Sequence, residues 1–403
     1  MLRRWGHQLP WSLLLAVALI GALGWLGVDR GEQIAGGSGR LARQQAGWLV
    51  LGGVTVWGAC LLSYRRMARW AYPVFGFTLL LLTIVYAFPP INGAHRWIRM
   101  AGMSLQPSEF AKIAFVLSLA RYAIYREHFH GVVGLLTPLA LALAPLLLIL
   151  REPDLGTSLV FLPVLVAMLF AAGARLVDLG ALALCGLLVA PLLWSQMSVE
   201  QRSRVSSLFE QTGPGQKPSP DGYQLHQAKQ LLALGGITGT RLRDDTLDGI
   251  GGYHLPEAHT DFIFTCIGER FGWAGLGAIL ASYAILISSG LQVAERTDDP
   301  FGRLVAVGIS SLFAVEALIN TGMTVGLLPV TGLSLPLVSY GGSGLLAHAL
   351  GIGLVVNIAL RSGRDVGPHP WREKRAWREK RTPPYPALTT YRRGRGVIRR
   401  SIA

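Results

Sequence analysis

Hydrophobic positions in this chain come in long blocks rather than in alternating or single-face patterns. Ten apolar runs recur, at about 11–28, 46–63, 71–88, 108–125, 133–150, 156–173, 176–195, 260–290, 302–326 and 343–361. Runs of roughly 17–25 apolar residues are the length at which a helix crosses a bilayer. The pattern predicts an all-α polytopic membrane protein with ten transmembrane helices. Residues 1–361 then form one transmembrane domain, with 196–259 as a large loop between helices seven and eight. The eighth run exceeds what one crossing needs, so part of it should tilt or project. The first run follows "MLRRWGHQ", a basic start like that of a signal peptide. No small-x-small cleavage site follows it, which points to an uncleaved first helix.

The polar segments between the runs set the expected orientation. Arg3 and Arg4, the stretch "YRRMAR", Arg121 and Arg126, Arg175, Arg296 and Arg303 all fall on one side of an alternating path. The positive-inside bias makes that side cytoplasmic. Both termini then face the cytoplasm, and the loops at 89–107, 151–155, 196–259 and 327–342 face outward. Most of the chain's long loops lie on that outer face, where long loops usually carry function. Within the longest, "QTGPGQKPSPDG" is Pro- and Gly-rich, and "YQLHQAKQLLALGG" (223–236) reads as a short amphipathic helix ending at a glycine pair.

Composition supports this picture. The chain is 51% hydrophobic and 15% charged, against about 25% charged in soluble proteins. Residues 361–403 hold 13 Arg and Lys against 3 Asp and Glu, +10 of the whole chain's +14. The basic balance is therefore a property of the tail, 362–403, which is expected to be disordered, cytoplasmic and held near anionic headgroups. No nucleic-acid-binding motif accompanies it, so nucleic acid is not an expected partner. Cys60, Cys185 and Cys266 lie inside apolar runs, with neither disulfide nor metal spacing.

Several polar clusters break the apolar pattern. "SLQPSEFAKI" places Glu109 and Lys112 at i and i+3 on a helix, where they can pair. Ionisable residues inside a span mark function or a buried pair. "REPDLGTS" packs Arg151, Glu152 and Asp154 between two runs; Asp154 suits a helix N-cap. "NGAHRWIR" puts Arg96, Trp97 and Arg99 on the outer face, against the positive-inside bias. Arginine suits phosphate, such as that of a lipid-linked substrate. "PLVSYGGSG" brings Ser339, Gly341 and Gly342 to a helix start, where backbone N–H groups can face an anion or small residues can pack helices. "LPEAHTDFIF" spaces Glu257, His259 and Asp261 at i, i+2 and i+4. Asp261 can sit in the first turn of a helix capped by Thr260, or serve as a partly desolvated general base. A metal pair from His259 and Asp261 has too few further ligands, so no metal site is expected there.

Together the segments "NGAHRWI", "QPSEFAK", "REPDLGTS", "GYQLHQAK", "LPEAHTDFIF" and "GLLPVTGLSLPLVSYGGSG" resemble, in order, the SEDS family (shape, elongation, division and sporulation), which includes the RodA and FtsW types. The resemblance covers about residues 45–361. "GLLPVTG" and "NTGM" look closer to RodA. Arg270, Gly344 and Ala228 depart from residues frequent in the family.

The resemblance implies a peptidoglycan glycosyltransferase that polymerises lipid II on the outer face of the bacterial cytoplasmic membrane, for elongation and shape. It implies Asp261 as the catalytic base. It matches Glu109 and Lys112 to the family's ion pair, and with the polar clusters above the candidate substrate-binding set is Arg96, Trp97, Arg99, Glu109, Lys112, Arg151, Glu152, Asp154, Lys229, Glu257, His259, Ser339, Gly341 and Gly342. The implied partners are lipid II, a glycan on undecaprenyl pyrophosphate, a class B penicillin-binding transpeptidase and other elongation or division proteins. A divalent cation, Mg or Mn, could assist. The alternatives are a division polymerase of the FtsW type, a lipid II flippase, or a scaffold without polymerase activity. The outward bias of the charged clusters favours surface chemistry over transport.

Overall fold

In the computed structural model each of the ten apolar runs is a helix. The structure describes residues 9–90, 94–100, 103–125, 131–197, 199–209, 222–240, 255 and 257–361. The basic tail and most of the Pro/Gly-rich part of the long loop lie outside these residues. The ten helices are α1 (Trp11–Ile34), α2 (Arg40–Leu61), α3 (Tyr64–Ile84), α4 (Pro107–Ala123), α5 (Gly131–Arg151), α6 (Leu155–Ala171), α7 (Leu176–Gln196), α10 (Ile263–Arg296), α11 (Pro300–Val325) and α12 (Gly342–Arg361). Two further helices, α8 (Val199–Phe209) and α9 (Tyr223–Gly235), lie in the long segment between α7 and α10. Among the described residues six helices are long and apolar enough to cross a membrane unaided. The chain is an all-α polytopic membrane protein.

Which helices face lipid follows from side-chain exposure. α4, α11 and α12 bury residues all round, including Phe115, Phe301, Phe313 and Val355. α2, α3 and α7 instead leave large apolar side chains uncovered, among them Val50, Val54, Trp57, Phe77, Leu187 and Leu188. A helix apolar on its outward face is stable where the solvent is hydrocarbon. α1 packs on α10, α2 on α12, α3 on α4, and α6 on α11.

The segment 89–107, expected as a loop, contains a short antiparallel hairpin, β1 (Ile98–Met100) and β2 (Met103–Leu105), with Arg99 opposite Ser104. Ser343 ties it to the head of α12: its hydroxyl donates to Ser104 O (2.9 Å) and accepts from Gln106 N (3.1 Å). A three-residue strand is too short to announce itself by alternation.

The overlong eighth run is resolved by a break. Gly272 has φ +62° and ψ −153°, which splits α10 into an upper rod, Ile263–Phe271, and a lower one from Trp273. The end of α9 enters the notch. Trp273 N donates to the carbonyls of Gly236 and Ile237 at 3.2 Å each, which satisfies a donor that the break would leave open. Arg30 on α1 then clamps the upper rod. Its Nε and Nη2 donate to the two oxygens of Glu269 at 2.7 and 2.6 Å, and Thr240 Oγ1 adds a third bond at 2.7 Å. Beside it Arg270 donates to Asp29 (3.0 Å) and to Leu26 O (3.1 Å).

A Cβ at Gly272 would lie 2.4 Å from Ile237 O, in a backbone region that side-chain-bearing residues avoid. Gly272→Ala is expected to destabilise the protein by about 2 kcal/mol or more, read as a lowered melting temperature in detergent. An unchanged transition would mean the notch is not formed.

Candidate functional site

The head of α10 is built by a tight turn, not by a capped helix. The carbonyl of Glu257, whose φ is +55°, accepts from the N–H groups of Thr260 (3.2 Å), Asp261 (3.1 Å) and Phe262 (3.3 Å). Regular helix starts only at Ile263. Asp261 therefore lies ahead of the helix rather than in its first turn, and Thr260 is not the cap; its hydroxyl donates to Glu257 instead (2.9 Å). Pairing the Glu257 carbonyl with three donors leaves the side chains of Glu257, His259, Thr260 and Asp261 free to line one cavity.

That cavity, about 890 Å³, opens between the turn, the loop 332–341, the hairpin segment and the heads of α2, α4, α8 and α12. Asn320 on α11 fixes its centre by donating to Asp261 O (2.9 Å) and Leu333 O (2.7 Å). Ser339 Oγ bridges the same elements, donating to Thr260 O (2.5 Å) and accepting from Leu335 N (2.8 Å). Tyr340 joins the far wall: its N–H donates to His259 O (2.9 Å), its ring meets His259 edge-on at 5.8 Å, and its hydroxyl donates to Gln44 Oε1 (2.5 Å). Gly342, the first residue of α12, lies so close to the Trp48 indole that a Cβ would come within 2.6 Å.

Of the residues singled out in the sequence, Arg96, Trp97, Glu109, Asp154, Glu257, His259, Asp261, Ser339, Gly341 and Gly342 line this cavity. Asp154 also caps α6 as expected, accepting from Thr157 N (3.2 Å) and Thr157 Oγ1 (2.9 Å). Glu152 is fully buried behind the cavity wall, and Arg96 donates to its backbone carbonyl (3.1 Å) and to that of Pro153. Lys112 lies beneath Glu109. Arg99 and Arg151 are exposed and lie outside the lining, as does the half-buried Lys229 on α9.

The sequence did not single out Gln44, Trp48, Gln201, Arg204 or Tyr340, all of which line the cavity. Gln201 and Arg204 share one face of α8. The signal for Gln44 and Trp48 was weak: two positions four apart on a helix otherwise read as lipid-facing.

Burial first, then the charge of Glu257, pushes the Asp261 carboxyl up to about 6, against the pull of Arg204. Burial, with Asp154 nearby, pushes Glu152 up to about 8, so at neutral pH it is mostly an uncharged acid. Burial also lowers the His259 imidazole, which favours its neutral form. The cavity thus offers a carboxylate poised as a base, an imidazole and cationic arginines.

Below the cavity the expected Glu109–Lys112 pair is part of a larger buried network. Lys112 Nζ donates to Glu109 Oε1 (2.9 Å) and to Glu316 Oε1, and Glu316 Oε2 meets His348 Nε2 at 2.7 Å. Glu109, Glu316 and His348 are the three-residue cluster of potential metal ligands among the described residues, but the Lys112 ammonium already holds both carboxylates. Glu316 and His348 escaped the sequence reading because each stands alone in a separate apolar run. Lys112→Met, which strands two buried carboxylates, is expected to cost about 3–5 kcal/mol. The double variant Lys112→Met with Glu316→Leu should recover part of that loss in thermal unfolding, because one stranded charge is then gone.

The FtsW, RodA and SpoVE family model, described as cell cycle protein, matches residues 7–363. The probable peptidoglycan glycosyltransferase FtsW of Trichlorobacter lovleyi is 37% identical over 306 residues, 74% of this chain and 78% of that protein. The peptidoglycan glycosyltransferase MrdB of Escherichia coli is 33% identical over 357 residues, 87% and 93% of the two chains. Among solved structures, a chain of a peptidoglycan synthase complex that coordinates polymerization and crosslinking superposes with TM-score 0.74 at 32% identity, over 88% of this chain and 98% of that one. The rod shape determining protein RodA of Thermus thermophilus superposes with TM-score 0.66 at 29% identity, with the same coverage.

Proposed function

The chain belongs to the FtsW, RodA and SpoVE family and is a peptidoglycan glycosyltransferase, and we propose that it polymerises lipid II at the 890 Å³ cavity around Asp261. The observation that carries the site assignment is the position of that carboxylate. It lines the cavity on a backbone held by Asn320, which donates to Asp261 O, and by Ser339, which donates to Thr260 O, and its pKa is raised to about 6.

The mechanism follows from the groups present. Asp261, ionised, removes the proton from the 4-hydroxyl of the lipid II GlcNAc. The hydroxyl oxygen bonds to the anomeric carbon of the donor glycan, and the bond from that carbon to the undecaprenyl pyrophosphate oxygen breaks. Attack opposite the leaving group inverts the anomeric centre to a β-1,4 link. The pyrophosphate leaves with its electron pair toward Arg96 and Arg204, whose guanidinium groups suit phosphate oxygens. Arg96 is fixed there by the carbonyls of Glu152 and Pro153. Arg99 and Arg151 lie outside the cavity lining, so this step is assigned to the two arginines that line it. Glu257, a hard oxygen donor on the cavity lining, would help hold a divalent cation such as Mg or Mn. Such an ion would supply further charge stabilisation to the leaving group.

The Lys and Arg distribution supports an inner-membrane orientation with this cavity on the outer face and both termini inside. The likeness to a chain of a peptidoglycan synthase complex supports a class B transpeptidase as partner. We assign the chain to elongation and shape, supported by the similarity to RodA. A division role is the second reading, favoured by the FtsW name of the 37% identical relative.

Two measurements test the assignment, both on the purified chain with its cognate transpeptidase. Asp261→Asn should lower lipid II polymerisation by at least about 100-fold; equal chains from both proteins would move the base elsewhere. A base works only when ionised, so kcat/KM for the unmodified protein should fall as pH drops through about 6. Because the Glu257 charge raises the Asp261 pKa, Glu257→Gln should move this acid limb to lower pH. A limb that stays in place would remove Asp261 as the titrating group.

A further inference from the structure

The Asp261 cavity is not closed on its α2 side. Gln44, Gly47, Trp48 and Leu51 of α2 all line it. Spaced three and four positions apart, Arg40, Gln44, Gly47 and Leu51 share one stripe of that helix. Leu51 is nonetheless 44% exposed, on a helix whose outward face is apolar. It lies eleven residues below Arg40, about 16 Å along the helix axis. With Arg40 at headgroup level, Leu51 stands well inside hydrocarbon, so the same cavity opens sideways to the outer leaflet. A Cβ at Gly47, midway down the stripe, would meet no other part of the protein within 4 Å.

The upper end of the stripe is cationic. Arg40 and Arg43 are exposed at the outer end of α2, against the positive-inside bias. Neither side chain makes a hydrogen bond or ion pair among the described residues. The helix start does not use them. The Glu32 carboxylate, from α1, accepts from the N–H groups of Arg40 (2.7 Å), Leu41 (2.8 Å) and Ala42 (3.1 Å). Of the two arginines, Arg40 is on the cavity side. Burial raises the Tyr340 phenol, and the Arg40 guanidinium is near enough to pull it back. That same hydroxyl donates to Gln44 Oε1 in the stripe (2.5 Å). A guanidinium above an apolar, laterally open stripe suits a lipid with a phosphate head.

The arginine assigned to the leaving group on the hairpin side is held by other elements. Arg96 is fixed by the α5–α6 junction. Those two helices pack on α3, α4 and α11, whereas α2 packs on α1 and α12. A polymerase holds two polyprenyl lipids at once, and each needs a place for its diphosphate and its tail. We propose that the α2 stripe is the acceptor subsite: Arg40 meets the diphosphate of the incoming lipid II, whose polyprenyl tail leaves the cavity past Gly47 and Leu51 into the outer leaflet. The subsite rests on the lipid II polymerase reading and specifies which of the two substrates lies against α2. A neutral lipid has no group for Arg40, and a phospholipid has no sugar to carry to Asp261.

The test uses the full-length protein with its cognate transpeptidase and has two arms. In the first, the photoreactive residue p-benzoylphenylalanine replaces Leu51 or its neighbour Val50, and each protein is irradiated with labelled lipid II. Val50 is 71% exposed at the same depth but does not line the cavity. Capture at position 51 should exceed capture at position 50 several-fold. Equal capture would overturn the stripe as the seat of the tail and leave it an ordinary phospholipid-facing surface. In the second arm wild type and Arg40→Gln are compared at low salt, with lipid-linked glycan as donor and lipid II as acceptor, each varied in turn. The variant should melt as wild type does. Its KM for lipid II as acceptor should rise about tenfold, as for the loss of one charge-assisted contact, and its KM for the donor should not. A rise in the donor KM instead, or in neither, would overturn the acceptor assignment while leaving the polymerase reading intact. A wild-type protein that neither captures nor polymerises lipid II would overturn that reading, and with it the occupant proposed for the stripe.

Discussion

The fork between Arg30 and Glu269 is the contact on which the geometry of the site depends. Both oxygens of a fully buried carboxylate are held by one guanidinium, and Thr240 adds a third donor. A bidentate pair fixes angle as well as distance. It locks the upper rod of α10 to α1 and to the turn after α9. The turn 257–262 sits on that rod, and Asp261 sits in that turn. With the fork engaged, Asn320 and Ser339 need only trim the position of a loop that is already placed.

Charge is used economically around the cavity. Each ionisable group removed from water is paired or is shifted toward its neutral form. Lys112 sits between two carboxylates, and Glu316 is shared with His348. Glu152, with Arg96 bonded to its carbonyl and not to its side chain, is held protonated by burial. Asp261 is left between these extremes, with enough protein around it to raise its basicity and enough cavity before it to meet a substrate. The Arg204 guanidinium stands beside the Asp261 carboxylate, so a proton acceptor and a cation able to meet a departing phosphate share one space.

Much of this was legible in the sequence, for identifiable reasons. Apolar runs are long, and length is a robust signal; all ten became helices. Asp154 as a cap and Glu109 with Lys112 as a pair are local relations, fixed by spacing along one helix. The residues missed depend on contacts distant in the chain. His348 meets Glu316 across 32 positions, and Tyr340 meets Gln44 across 296; no local pattern carries such a relation. Thr260 was misread as a cap because the Glu257 carbonyl, rather than a side chain, collects the free N–H groups of the turn. Arg99 and Arg151 shared the composition of a phosphate site, but both are exposed and neither lines the cavity.

The break at Gly272 has a mechanical meaning. An unbroken rod would carry any change of tilt in its lower half straight to the aspartate at its tip. Here the ladder of helical hydrogen bonds is interrupted, and the upper rod is bolted to α1 and α9 instead. The angle between the two rods is therefore set by the turn after α9 packed into the break, and the aspartate takes its register from α1 and α9 rather than from the lower half of its own helix.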